Sequence, residues 1–268
     1  MQGLWDTAVS FFTGAFHVPG LTWTGALLAI GLGLAFGAAW LLLYRPPLRR
    51  EPWLWIAGLV SAFLTWIAIC FVQIPLQTWT GDLLRVFWPP LILNHWLLLS
   101  AVPVILLSGI VQEASKLAPV IWFKLRRAEV SPRTIVLAGA VAGAGFGIFE
   151  AVWVHNSIFA SGWTWGLVER QGYPALLGFW ERFFSVGFHI AASTIAAWGL
   201  AKGMGWRFYL LAAFLHGALN YSTVLLQRGL LNSNGVEVYI AAGAVLVTLA
   251  ALWLRYQKTG ENTIETPV

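Results

Sequence analysis

The sequence predicts an all-α fold, a polytopic transmembrane helical bundle of about seven spans, with six and eight as the bounds. Three observations lead there. Of 268 residues, 59% are hydrophobic and only 10% are charged, whereas soluble domains carry about 25% charge. Apolar runs of the roughly 20 residues needed to cross a hydrocarbon core recur between charged breaks. The Lys and Arg residues gather after alternate runs, as they do when one side of a bundle faces the cytoplasm.

Taken in order, residues 4–18 are apolar and aromatic but short, so they read as an interfacial or re-entrant piece. Spans are expected at 21–44 and 53–76. Residues 86–96 contain Pro89 and Pro90 and form a second non-spanning piece. Further spans are expected at 98–123, 134–154, 179–200, 208–226 and 238–254. No repeat or composition break divides the chain, so residues 1–268 are expected to form a single integral membrane domain, ending in a mobile polar tail from Lys258.

Charge placement sets the expected orientation. Arg45, Arg49, Arg50, Lys124, Arg126, Arg127, Arg133, Lys202, Arg207, Arg255 and Lys258 share one side, and only Arg85, Arg170, Arg182 and Arg228 lie on the other. The positive-inside rule then puts the C-terminus in the cytoplasm and, with seven spans, the N-terminus outside. The net charge of +5 is thereby explained by topology, and no nucleic-acid partner is expected; the bilayer is the expected environment. The first basic residue is Arg45 and Asp6 stands near the start, so no cleavable signal is expected. Cys70 is alone and cannot form an internal disulfide. Trp23, Trp40, Trp53, Trp79, Trp153 and Trp206 sit at run ends, where the headgroup level favours indole rings.

The fourth span carries Gly139, Gly143 and Gly147 at four-residue spacing, which lets a neighbouring helix approach closely and places this helix at the centre. Glu150 follows three residues later on the same face, about 16 residues into the span or roughly 24 Å of rise.

Two acids interrupt apolar runs: Glu113 in LLSGIVQEASKLAPV and Glu150 in GAGFGIFEAVW. A charge at the bilayer centre costs about 2.5 to 3.5 kcal/mol on insertion scales, so each marks a functional site by default. His189 and His216 interrupt the fifth and sixth spans. Helical spacing aligns His216 with Asn220, Arg182 with His189 and Ser193, and Gln112 with Lys116. Singly, each has a plain structural use: a lone membrane histidine can bridge helices, and Lys116 can neutralise Glu113. Together, four consecutive spans each bearing an acid or an imidazole suit hydrolysis, with Glu as general base and His or Asn donors holding the oxyanion. The set Glu150, His189 and His216 could instead hold a zinc ion. There is no G-x-S-x-G, H-E-x-x-H, P-loop or dinucleotide motif.

The order QEASK (Gln112 to Lys116), FGIFE (Phe146 to Glu150), Arg182 with HIAAST from His189, and HGALN (His216 to Asn220) resembles the PrsW family of intramembrane proteases, relatives of the type II CAAX prenyl endopeptidases. The resemblance covers residues 109–221 and implies a protease of the bacterial cytoplasmic membrane acting on a membrane-anchored protein. Carried over, it makes Glu113, Glu150, His189, His216 and Asn220 catalytic, with Gln112, Lys116 and Arg182 in support. The departure is Gln112, where the family pattern has a first glutamate. Two other classes stay open: a catalytically silent scaffold that binds a membrane partner, and a proton-coupled transporter or channel using Glu and His as a relay.

Overall fold

The computed structural model describes residues 2–127 and 130–257; the tail from Lys258 lies outside the described residues. It is 85% helical, with no strand among the described residues. Seven helical stretches are long and apolar enough to span a membrane: Trp23–Tyr44, Trp53–Phe87, Leu97–Arg126, Pro132–Ala160, Tyr173–Ala201, Gly205–Gln227 and Ser233–Tyr256. The chain is thus a multi-pass membrane-helical bundle.

In chain order the helices are α1 (Gln2–Gly14), α2 (Trp23–Tyr44), α3 (Trp53–Ala68), α4 (Ile74–Phe87), α5 (Pro90–His95), α6 (Leu97–Ser100), α7 (Val102–Arg126), α8 (Pro132–Ala160), α9 (Trp165–Gln171), α10 (Leu177–Ala201), α11 (Gly205–Asn220), α12 (Ser222–Gln227) and α13 (Ser233–Tyr256). Neither short piece read from the sequence adds a span. α1 has 13 residues, too few to cross, and its Phe11 and Phe12 pack on Trp66 and Phe71. After α4 the chain turns extended at Trp88 and restarts at Pro90, because the tandem prolines cannot continue the α4 hydrogen bonds.

The largest difference from expectation is the second span, which does not stop at residue 76. It runs 35 residues to Phe87 through a π turn at Ile69–Gln73. Pro75 lacks the N–H that would bond back to the preceding turn, and the π turn immediately before it is where the helix takes up that loss. The fourth span also overruns, because His155 is a buried side chain seated between Phe36 and Phe179 and no boundary. The tryptophans divide: Trp23, Trp79 and Trp206 are exposed, as expected of an interfacial belt, but Trp40 and Trp53 are buried. The Trp40 indole donates to Phe183 O at 2.8 Å, tying α2 to α10.

α8 and α10 form the centre: within an apolar 18-residue window of each, 72% and 78% of residues are buried, against 22% in α2. Small residues bring them together. A Cβ on Gly143 would meet His189 O at 2.3 Å, and one on Gly139 would meet Ser193 O at 2.6 Å. The opposite face of α8 approaches α3 as closely, since a Cβ on Gly145 would lie 2.0 Å from Gly58 O. With no hydrophobic gain available between helices in lipid, such contacts hold the bundle by dispersion.

Candidate functional site

Two close helix crossings bring the polar residues together. Where α8 meets α10, Gly143 and Gly147 abut His189, and Glu150 follows on that face. Where α7 crosses the antiparallel α11, a Cβ on Gly109 would lie 2.0 Å from Ala213 O and 3.1 Å from Gly217 N, so His216 in that turn of α11 comes within reach of Glu113 one turn along α7. Glycine at 109 and 143 therefore decides where the charged groups land.

They land in one chain of contacts. Arg182 donates to Glu150 Oε2 at 2.8 Å, and His189 Nε2 lies 3.1 Å from the same oxygen. His189 Nδ1 is 3.1 Å from Lys116 Nζ, which donates to Glu113 Oε1 at 2.5 Å. His216 Nδ1 completes the chain 2.7 Å from Glu113 Oε1, and Ser193 Oγ reaches Glu113 Oε2 at 3.5 Å. Arg182 also pairs with Glu181. Lys116 and Glu113 have no exposed side-chain surface. In hydrocarbon such charges persist only as mutual partners, and here cations and acceptors alternate along the chain.

The partners fix the proton positions. An ammonium only donates, so His189 Nδ1 accepts from Lys116 and its Nε2–H donates to Glu150. A carboxylate only accepts, so His216 Nδ1–H donates to Glu113. Both nitrogens of His189 are committed. In the neutral His216 ring, Nε2 keeps a lone pair.

A cavity of about 330 Å³ is walled by Gln112, Glu150, His189, His216 and Asn220, with Glu181, Arg182 and Glu237 also lining it. The wall residues come from the first half of α10, down to His189 at its middle, and from the first turns of α13, and α12 closes one side, so the cavity runs from mid-depth toward the end of the bundle where α8 finishes. Glu113 and Lys116 are not in this wall; they sit behind His216 and His189. Asn220 Nδ2 donates to Ser108 Oγ at 2.8 Å, and its second amide hydrogen has no partner among the described residues.

The zinc set expected from sequence was Glu150, His189 and His216. The trio whose ligand atoms lie within 4.8 Å of one another is instead Glu113, His189 and His216. Lys116 Nζ stands 2.5 Å from Glu113 and 3.1 Å from His189, so an ammonium already holds the place a cation would take. Glu150 Oε2 is likewise held by Arg182. As arranged, both carboxylates are already paired with cationic side chains.

Several residues at the site escaped the sequence reading. Gln112 Nε2 donates to Gln73 Oε1 at 3.0 Å, Gln73 Nε2 to Gln77 Oε1 at 3.3 Å, and Gln77 Nε2 to Val104 O at 2.8 Å. Gln73 interrupts an apolar run and so carried a signal as an intramembrane polar group; the π turn that aims it at α7 did not. Glu237 stands one residue before the expected start of the last span, where an acid reads as a solvated end. Comparison with protein-family models, with curated proteins and with solved structures found no match.

Proposed function

We propose that this protein is an intramembrane protease of PrsW type, in a bacterial cytoplasmic membrane, that hydrolyses a membrane-anchored protein. The observation that carries the reading is the Glu113–His216 pair at 2.7 Å, with His216 in the wall of a buried polar cavity. It is supported by the meeting of all four motif segments in one hydrogen-bonded chain.

In this reading His216 Nε2 takes a proton from a cavity water as the water oxygen attacks the scissile carbonyl carbon. Glu113 holds the Nδ1–H tautomer and stabilises the imidazolium that forms, as the buried acid of a hydrolase triad does. The imidazolium then returns its proton to the departing amine nitrogen as the C–N bond breaks. Asn220, which also lines the cavity, meets the oxyanion in this reading with its second Nδ2 hydrogen. Glu113, expected as the base itself, acts through His216, because its carboxylate does not line the cavity. Lys116, His189, Glu150 and Arg182 hold these groups in register. Charge bias puts the cavity mouth in the extracytoplasmic half and the C-terminus inside.

A second reading, proton-coupled transport, is favoured by the unbroken chain from Arg182 to His216, the kind of path a proton relay uses. A cleavage assay on membrane-anchored reporters beside a proton-flux assay, both in proteoliposomes, separates the two. Cleavage without flux supports the protease; flux without cleavage replaces it.

A further inference from the structure

Carboxylates outnumber Lys and Arg in the cavity wall, and a glutamine chain fixes the amide beside them. Val104 O, a main-chain carbonyl, can only accept, so Gln77 must offer it the NH₂ end of its amide. Gln77 Oε1 is then left to accept from Gln73, and Gln73 Oε1 to accept from Gln112. One obligatory acceptor at the far end orients three amides. Gln112, only 6% exposed, is thereby made to leave its carbonyl oxygen without a partner among the described residues, at the wall of the cavity.

The mouth has the same bias. Among the described residues Arg182 is the one Lys or Arg lining the cavity; its two NH₂ groups pair with Glu150 and Glu181, and its Nε–H is buried without a partner. Glu237 lines the cavity as a third carboxylate, and its Oε2 is buried with no partner among the described residues. Three carboxylates beside one guanidinium leave the wall with excess negative charge, which favours an incoming cation. Glu237 also borders a second, apolar groove of about 340 Å³ formed by Leu176, Leu177, Trp180 and Val238. The two spaces meet at that carboxylate.

We propose that the mouth is a subsite for a Lys or Arg side chain of the substrate, with the apolar residues beside it lying in the Leu177–Trp180 groove. The proposal rests on the cavity being where substrate binds. Basic residues are rare at the outer ends of spans, so such a subsite selects a minority of membrane-anchored proteins.

The test is binding, read independently of cleavage. The full-length protein in phosphatidylcholine nanodiscs is titrated with the peptide acetyl-Leu-Leu-Arg-methylamide and with its citrulline analogue, which keeps the shape and removes the charge. The wild type is expected to bind the arginine peptide at least 10-fold more tightly, a preference of about 1.4 kcal/mol. Glu237→Gln is expected to bring the ratio close to one, and Trp180→Ala to weaken both peptides alike. Equal binding of the two peptides by the wild type, or an undiminished preference in Glu237→Gln, overturns the proposal. So does loss of the preference when half the lipid is phosphatidylethanolamine, which would assign the subsite to a lipid amine, or when calcium displaces the peptide, which would assign it to an ion. Charge-selective binding in a protein that cleaves nothing would sustain the subsite while the protease reading fell.

Discussion

His216 Nδ1 and Glu113 Oε1, 103 residues apart in sequence, lie 2.7 Å apart behind the cavity wall. The pair is bound to Lys116 through the same carboxylate oxygen, so its removal has a structural effect as well as a chemical one.

Replacing Glu113 by Gln removes the anion that orients and stabilises His216, and cleavage should fall by roughly 10² to 10⁴. It also strands Lys116 without a counter-ion, which should destabilise the fold by about 3 to 5 kcal/mol. The double variant Glu113→Gln with Lys116→Met should regain much of the stability and none of the activity. Thermal unfolding and reporter cleavage on the same nanodisc preparations give both numbers. Gln112→Ala should lower cleavage less than Glu113→Gln does.

The two histidines should separate kinetically. His216→Gln removes the only imidazole nitrogen at the site left free for water, so kcat should collapse with little change in KM. His189→Gln can still donate to Glu150, and its loss should be about 10-fold to 100-fold, the range of one charge-assisted hydrogen bond. A full steady-state comparison, with KM and kcat resolved, distinguishes the roles.

Gly143→Ala places a methyl group against His189 O, a contact of 2.3 Å before relaxation, and should cost about 1 to 3 kcal/mol by overpacking. Gly31, also in a spanning helix, has nothing within 4 Å of an added Cβ, and Gly31→Ala should leave unfolding unchanged. Unfolding curves for the two alanine variants are the check.

Reporter domains fused after Lys124 and after Lys202 should both register as cytoplasmic. A signal from the opposite side at either junction would invert the placement of the cavity.

The bundle was legible in the sequence because lipid imposes a length and a polarity that hydropathy reads directly, and all seven spans appear near their expected places. The site was legible for a related reason: Glu113, Glu150, His189 and His216 stand out where charge is costly. Their wiring was not. Nothing in the neighbouring letters of Gln112 and Glu113 says which faces the cavity, since that depends on how α7 rotates against α11 at Gly109. Gln73 reaches Gln112 only through a π turn, which has no sequence signature, and Lys116 filling the cation position became visible only from distances between helices. Trp40 and Trp53 show the converse limit: indole at a run end fits an interface and a buried helix contact equally well.

The most direct test of the central claim labels new protein N-termini in membranes that hold either the wild type or His216→Gln at matched expression, with and without a metal chelator. New termini are expected at the extracytoplasmic ends of membrane-anchored proteins with the wild type, unchanged by the chelator and absent with His216→Gln. Identical termini in wild type and variant, or their disappearance on chelation, would contradict metal-free hydrolysis by the Glu113–His216 pair.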